Sequence, residues 1–218
     1  MPNQSGNAYG LTTFFPIMKG SQDNQSYSAI TRDRLPDLPL HGNSPMAKVP
    51  NTYFCRFYVL HNVFYEGKPA RLEHLKSKYL VFTSNFYGKP EPYLRGMWDA
   101  ASEEIMKIWE FCVGFSKVHD AESFVDYTKK CQVATTFFFN GSTDDSLDEQ
   151  LKSLYLKQEF SKFVFQNQRK NSPDLQQAFK EFIARVQPNI LVGPTWRPGA
   201  SSLESAVINN EFTKSEES

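Results

Sequence analysis

The chain has no surplus of either charge: 24 Lys and Arg balance 24 Asp and Glu over 218 residues. Nucleic-acid binders usually carry a basic surplus or stripe, so a nucleic-acid partner is not expected. No uninterrupted apolar run approaches the ~20 residues that a helix needs to cross a bilayer, which excludes an ordinary membrane-spanning helix. The opening MPNQSGNAYG lacks the basic and apolar regions of a secretory signal. Cysteine is scarce. Cys55, Cys112 and Cys131 show no C-x-x-C spacing, which implies neither a thiolate metal site nor a disulfide scaffold. Reduced thiols in a cytoplasmic protein are the simplest expectation. Histidine is nearly as scarce: His41, His61, His74 and His119 form no H-E-x-x-H or H-x-H pattern, so no metal site is expected.

Rings are what the chain has in quantity. Phe, Tyr and Trp make up 15% of it, with 19 Phe and 10 Tyr. That many rings can fill a large core or line an apolar pocket, and composition does not choose between the two.

Periodicity divides the chain into elements. Residues 1–9 are polar and read as a loose N-terminus. Leu11–Met18 alternates as a first strand, with Pro16 expected at its end or at a bulge. Residues 21–35 read as a helix capped by Ser21, with Tyr27 and Ile30 inward. Arg34–Asn51 holds four prolines and reads as a long loop, a length that in a compact domain tends to be functional or mobile. Thr52–Leu60 and Tyr79–Phe86 are strands apolar on both faces, joined by 62–77 with Glu66-Gly67-Lys68-Pro69 as turn signal. Glu91–Cys112 carries Leu94, Met97, Trp98, Ala101, Ile105, Ile108 and Trp109 at helical spacing, with Pro92 allowed in the first turn. A short helix, Ala121–Lys130, precedes a ring-rich strand over Gln132–Asn140. Helices follow over Ser146–Gln168 and Pro173–Val186, and residues 187–218 form a Pro-, Gly- and Ser-rich tail.

The order β, α, β, β, α, β followed by helices predicts an α+β fold: a ferredoxin-like βαββαβ sandwich with additional C-terminal helices, one domain over residues 10–186. One face of such a sheet is covered by its helices. The other needs its own cover, from the C-terminal helices or from a second copy, as in a dimeric α/β barrel. The pattern LTTFFPI…SPMAKVPNTYFCRFYVL…YLVFTSNFYG…FCVGF…TTFFFNG resembles a group of small bacterial proteins with a ferredoxin-like core, similar in turn to dye-decolourising peroxidases and other dimeric α/β-barrel proteins. The resemblance runs over roughly residues 10 to 185. It implies fold more than function. Peroxidases of that type use a G-x-x-D-G distal motif and a later haem-ligating histidine. The nearest match here is Gly141-Ser142-Thr143-Asp144-Asp145, whose last position is not glycine, and no histidine follows His119. Under this resemblance His119 and Asp144 are the residues left for haem.

Four residues stand out as candidates for binding a ligand. Thr83, Ser84 and Asn85 would bring two hydroxyls and an amide to a strand end, although turns and caps use the same residue types. Ser84 lies in no G-x-S-x-G elbow, so nucleophilic catalysis is not implied. Arg56 sits in a strand full of rings. Buried, it would need a carboxylate or an anionic ligand; at an edge, its stem would pack on rings with its head in water. With abundant rings and no catalytic constellation, the sequence points to a non-haem protein that binds a small apolar molecule or forms a homodimer, with no cofactor. The alternative is an oxidoreductase of the α/β-barrel type, either a haem peroxidase or a cofactor-free monooxygenase.

Overall fold

Alternating burial makes residues 8–16 a strand: Tyr9, Leu11, Thr13 and Phe15 are buried, while Thr12, Phe14 and Pro16 are only partly covered. The computed structural model describes residues 3–40, 43–63, 67–69 and 74–196. His41 and the tail beyond residue 196 lie outside them. The chain divides into two compact units, Met1–Asp144 and Asp145–Ser218. That division falls inside residues 10–186, which the sequence pattern alone takes as one domain.

The first unit is a mixed α+β structure. Its strands are β1 (Gln4–Ser5), β2 (Ala8–Pro16), β3 (Ser21–Gln22), β4 (Gln25–Ser26), β5 (Thr52–Leu60) and β6 (Tyr79–Tyr87). Its helices are α1 (Tyr27–Arg34), α2 (Pro90–Trp109) and α3 (Ala121–Lys130). Four strands form an antiparallel sheet in the order β1-β2-β6-β5. Rows of directly opposed residues run across it, such as Thr12–Thr83–Arg56 and Phe14–Val81–Tyr58. Tyr53 forms a bulge, because Thr52 pairs with Phe86 while Phe54 pairs with Asn85.

The inner face of the sheet holds the core. Phe15, Phe82 and Phe57 meet the fully buried indole of Trp109 edge-on at centroid distances of 5.5, 5.8 and 5.4 Å, and Phe124 of α3 closes on it at 5.8 Å. Edge-to-face packing suits the ring quadrupoles, so one tryptophan ties strands to both helices. The α2 stripe is buried at Leu94, Met97, Ala101, Ile105, Ile108 and Trp109 as its spacing predicts, while Trp98 stays half-buried. Pro90 opens α2 at a position whose N–H has no intrahelical partner anyway. The helix breaks at Ala101, where φ is −147° and ψ 29°.

Two elements differ from the pattern-based expectation. The first is the start of α1. Asp23 and Asn24 adopt positive φ of 50° and 63°, so residues 21–26 make a two-residue hairpin, the primed turn that suits strand twist. The helix therefore begins at Tyr27, with Ser26 accepting from the Ala29 N–H in place of Ser21 as cap. The second is the expected strand over 132–140. Only Gln132 bridges β2, opposite Thr13, with Phe14 N–H donating to Cys131 O and Val133 N–H to Thr12 O, both at 2.9 Å. The rest of that edge of β2 is already taken. Gly10 N–H donates to Asn3 O, and the buried Asn3 amide donates to Gly10 O at 3.1 Å and Thr135 Oγ1 at 3.2 Å. Phe137 and Phe139 consequently point into solvent, while Phe138 lies against Gly10, where a Cβ would come within 2.8 Å of the ring.

The second unit is a pair of helices, α4 (Leu147–Gln166) and α5 (Ser172–Val186). Ser146 and Glu149 cap α4 reciprocally, and Asn171 caps α5. A small core of Phe163, Phe182 and Val186 joins them. Lys152 reaches from α4 to donate to Val186 O at 2.7 Å, where α5 exposes its last carbonyls, and to Pro194 O at 2.8 Å.

Candidate functional site

Where α2 passes the stretch that connects α1 to β5, the core leaves a cavity of about 220 Å³. Its floor is Cys55 and Phe57, inner-face residues of β5. Met97, Ala101 and Ile105 of α2 form one wall, so the helix breaks at the residue that borders the cavity. Leu38, Pro39, Leu40 and Met46 cover it from the connecting stretch. Ser44 caps a short 3-10 turn (Pro45–Lys48) by accepting from the Met46 N–H, which fixes Pro45 and Met46 over the cavity.

Polar groups here are few. Glu104 is the only ionisable carboxylate among the described lining residues, and it is half-buried. Burial pushes the Cys55 thiol up to about 11, so it is a neutral thiol near pH 7 and a poor nucleophile. Trp109 also borders the cavity, and its fully buried indole N–H finds no acceptor among the described residues. An orphaned donor of this kind costs on the order of 1–3 kcal/mol. The arrangement can enclose a compact apolar molecule; among the described lining residues it offers no nucleophile–base pair.

The residues singled out from the sequence lie elsewhere. Thr83, Ser84 and Asn85 sit mid-strand in β6, paired on both sides, and the two-residue period splits them. Ser84 is fully buried on the inner face. Its hydroxyl lies 2.7 Å from Tyr93 OH, which in turn lies 3.2 Å from Thr52 Oγ1. The Tyr93 ring stacks on Phe86 with centroids 3.7 Å apart, and burial pushes its phenol up to about 12 despite the hydrogen bonds from Ser84 and Thr52. Thr83 and Asn85 lie on the outer face in the same rows as Arg56 and Phe54. Arg56 is exposed, whereas the Thr83 hydroxyl is buried with no partner among the described residues.

Asp144 accepts from the Asn7 backbone N–H at 2.7 Å and its side-chain amide at 2.9 Å, tying 144 to the β1–β2 turn. His119 precedes α3 with its side chain 78% exposed. Its Nδ1 lies 2.9 Å from Lys117 O and its Nε2 3.5 Å from Asp120 Oδ2. An axial haem ligand needs a free ring nitrogen facing an enclosed pocket, and these surroundings do not fit that role. Among the described residues no group of three His, Cys, Asp or Glu could hold a metal ion, and no helix is long and apolar enough to cross a membrane.

Spacing did not point to the cavity, because its cover and floor come from segments that only folding brings together. The one available signal was the proline-rich length of 34–51. Comparison of the chain with family models, with curated proteins and with solved structures finds no match.

Proposed function

We propose that this chain binds a small, mainly apolar molecule in the cavity between α2, β5 and the 35–46 cover. The observation that carries the reading is the cavity itself: about 220 Å³, walled by aliphatic and aromatic side chains, with one carboxylate at Glu104. An engineered apolar cavity of about 150 Å³ takes benzene, so this one suits a single ring with a short substituent. A carbonyl or hydroxyl oxygen on that substituent would supply the acceptor that the Trp109 N–H lacks. The shortage of polar groups favours binding over catalysis. A cofactor-free oxidoreductase would use the same cavity, and turnover of the bound molecule with oxygen would distinguish it.

The strand order supports reading the first unit as ferredoxin-like, and with it the resemblance to dimeric α/β-barrel proteins. In β2-β6-β5 every neighbour is antiparallel, and residues 131–133 lie at the outer edge of β2 where the fourth strand of such a sheet belongs. The outer face favours a homodimer, since Phe54 and Tyr58 remain 52% and 46% exposed beside Arg56.

Thermal unfolding across a panel of small aromatic alcohols, ketones and acids tests the cavity. A true ligand at about 100 times its Kd stabilises by about 2.7 kcal/mol. Ala101→Leu, whose side chain grows into the cavity, is expected to keep the fold and abolish that stabilisation. No rise in Tm with any member of the panel, or an equal rise in the Ala101→Leu protein, overturns the reading.

A further inference from the structure

A second cleft, of about 430 Å³, opens at the other end of α1, between the end of β2, the start of α1 and the approach to β6. Its chemistry is opposite to that of the apolar cavity. Lys19, Lys76 and Lys78 line it together with His61, and no Asp or Glu is among the described lining residues. No carboxylate pairs with any of the three lysines among the described residues. Hydroxyls accompany the charges. Lys78 Nζ donates to Ser28 Oγ at 3.2 Å, Ser28 is 4% exposed, and its oxygen lies 3.2 Å from Ser26 Oγ. Ser77 adds a third hydroxyl. Lys78 is therefore held in place by a neutral partner, with no carboxylate against its charge among the described residues.

Three ammonium groups around one concavity, with no carboxylate partner among the described residues, repel each other, and an anion in the cleft relieves that repulsion. Burial and the fields of Lys78 and Arg32 hold His61 below its ordinary value, in keeping with a positive potential there. Ammonium groups act as point charges toward phosphate oxygens, and serine hydroxyls complete their coordination. The volume falls within the range of small-molecule sites, well beyond what an inorganic ion fills, and Ile17 and Leu75 provide an apolar wall. We infer that this cleft binds a small organic phosphate monoester, its phosphate held by Lys19, Lys76 and Lys78 and its organic part against Ile17 and Leu75.

Calorimetric titration of the full chain with glycerol 3-phosphate, ribose 5-phosphate and AMP, and with inorganic phosphate and sulfate for comparison, tests the assignment at near-physiological salt. At least one ester is expected to bind more tightly than either inorganic anion. Lys76→Gln and Lys78→Gln should each weaken it about tenfold, the loss of one charge-assisted hydrogen bond. Lys76→Gln serves as the variant that leaves the Ser28 contact intact, with its melting temperature as the check on folding. Arg56→Gln and the cavity-filling Ala101→Leu should leave ester binding unchanged. Absence of binding by all three esters overturns the inference. So does binding no tighter than that of sulfate, or ester binding that survives Lys76→Gln in a folded protein.

Discussion

Ser84 separates two roles that one residue type can play. In sequence it stands in a polar triplet open to a ligand. In the structure it is an inner-face residue whose hydroxyl meets the Tyr93 phenol, with Thr52 on the far side of that phenol. Its neighbours Thr83 and Asn85 face the opposite way, as strand alternation requires. Ser84→Ala removes one of the two partners of Tyr93 OH without leaving it orphaned, because Thr52 remains. The expected cost is about 1 kcal/mol, read as a fall in Tm or in the denaturant midpoint. Ligand stabilisation in the α2–β5 cavity should persist in this variant. Loss of that stabilisation without loss of stability would return Ser84 to the binding residues.

At the scale of elements, α4 and α5 are held together by a small ring cluster and one ionic group. Glu159 is 8% exposed and pairs with Lys162 at 3.0 Å and with Arg185. Burial alone would raise its carboxyl, but the hydrogen bonds and charges of Arg185 and Lys162 prevail and hold it below its ordinary value. A carboxyl lowered on folding contributes stability that is present above its unfolded value and lost as pH falls through its folded one. Protection factors of amide exchange in α4 and α5, taken relative to the intrinsic rate at each pH, should therefore fall below the ordinary carboxylate range. Glu159→Gln should flatten that dependence and cost on the order of 1 kcal/mol at neutral pH, since Arg185 is exposed and Lys162 only half-buried. Helices like these were legible in the sequence: α3 begins and ends where its pattern predicts, and the Ser146–Glu149 capping box opens α4. The 21–26 hairpin was missed because helical spacing of Tyr27 and Ile30 outweighed the turn signal of Asp23-Asn24. The strand expected at 132–140 failed for a tertiary reason. Ring content suits a strand, but Asn3 and β1 had already taken that edge of β2. The apolar cavity left only the proline-rich length of 34–51 as a signal, and the lysine-lined cleft left none, because each joins segments that only folding brings together.

For the whole molecule, the outer face of the sheet decides whether the chain acts alone. Phe54 and Tyr58 flank Arg56 on β5, and the Thr12–Thr83–Arg56 row runs between rows that carry Phe54 and Tyr58. Rings around a few central polar groups suit an isologous interface, in which each ring of one copy meets the same patch of the other. Sedimentation velocity should then find a dimer. Phe54→Asp would set a carboxylate against an apolar surface on both sides of the two-fold axis, a desolvation cost paid twice, and the dimer should dissociate with the monomer still folded. Arg56→Gln should weaken it less, because an exposed guanidinium at such an edge contributes little. A wild-type protein that sediments as a monomer at high concentration, or a Phe54→Asp protein that remains dimeric, would place the self-association elsewhere or remove it. The apolar cavity lies on the inner side of the same β5 strand, so ligand stabilisation by the small aromatic panel should survive dissociation. That survival separates the binding of a small molecule from the pairing of two chains.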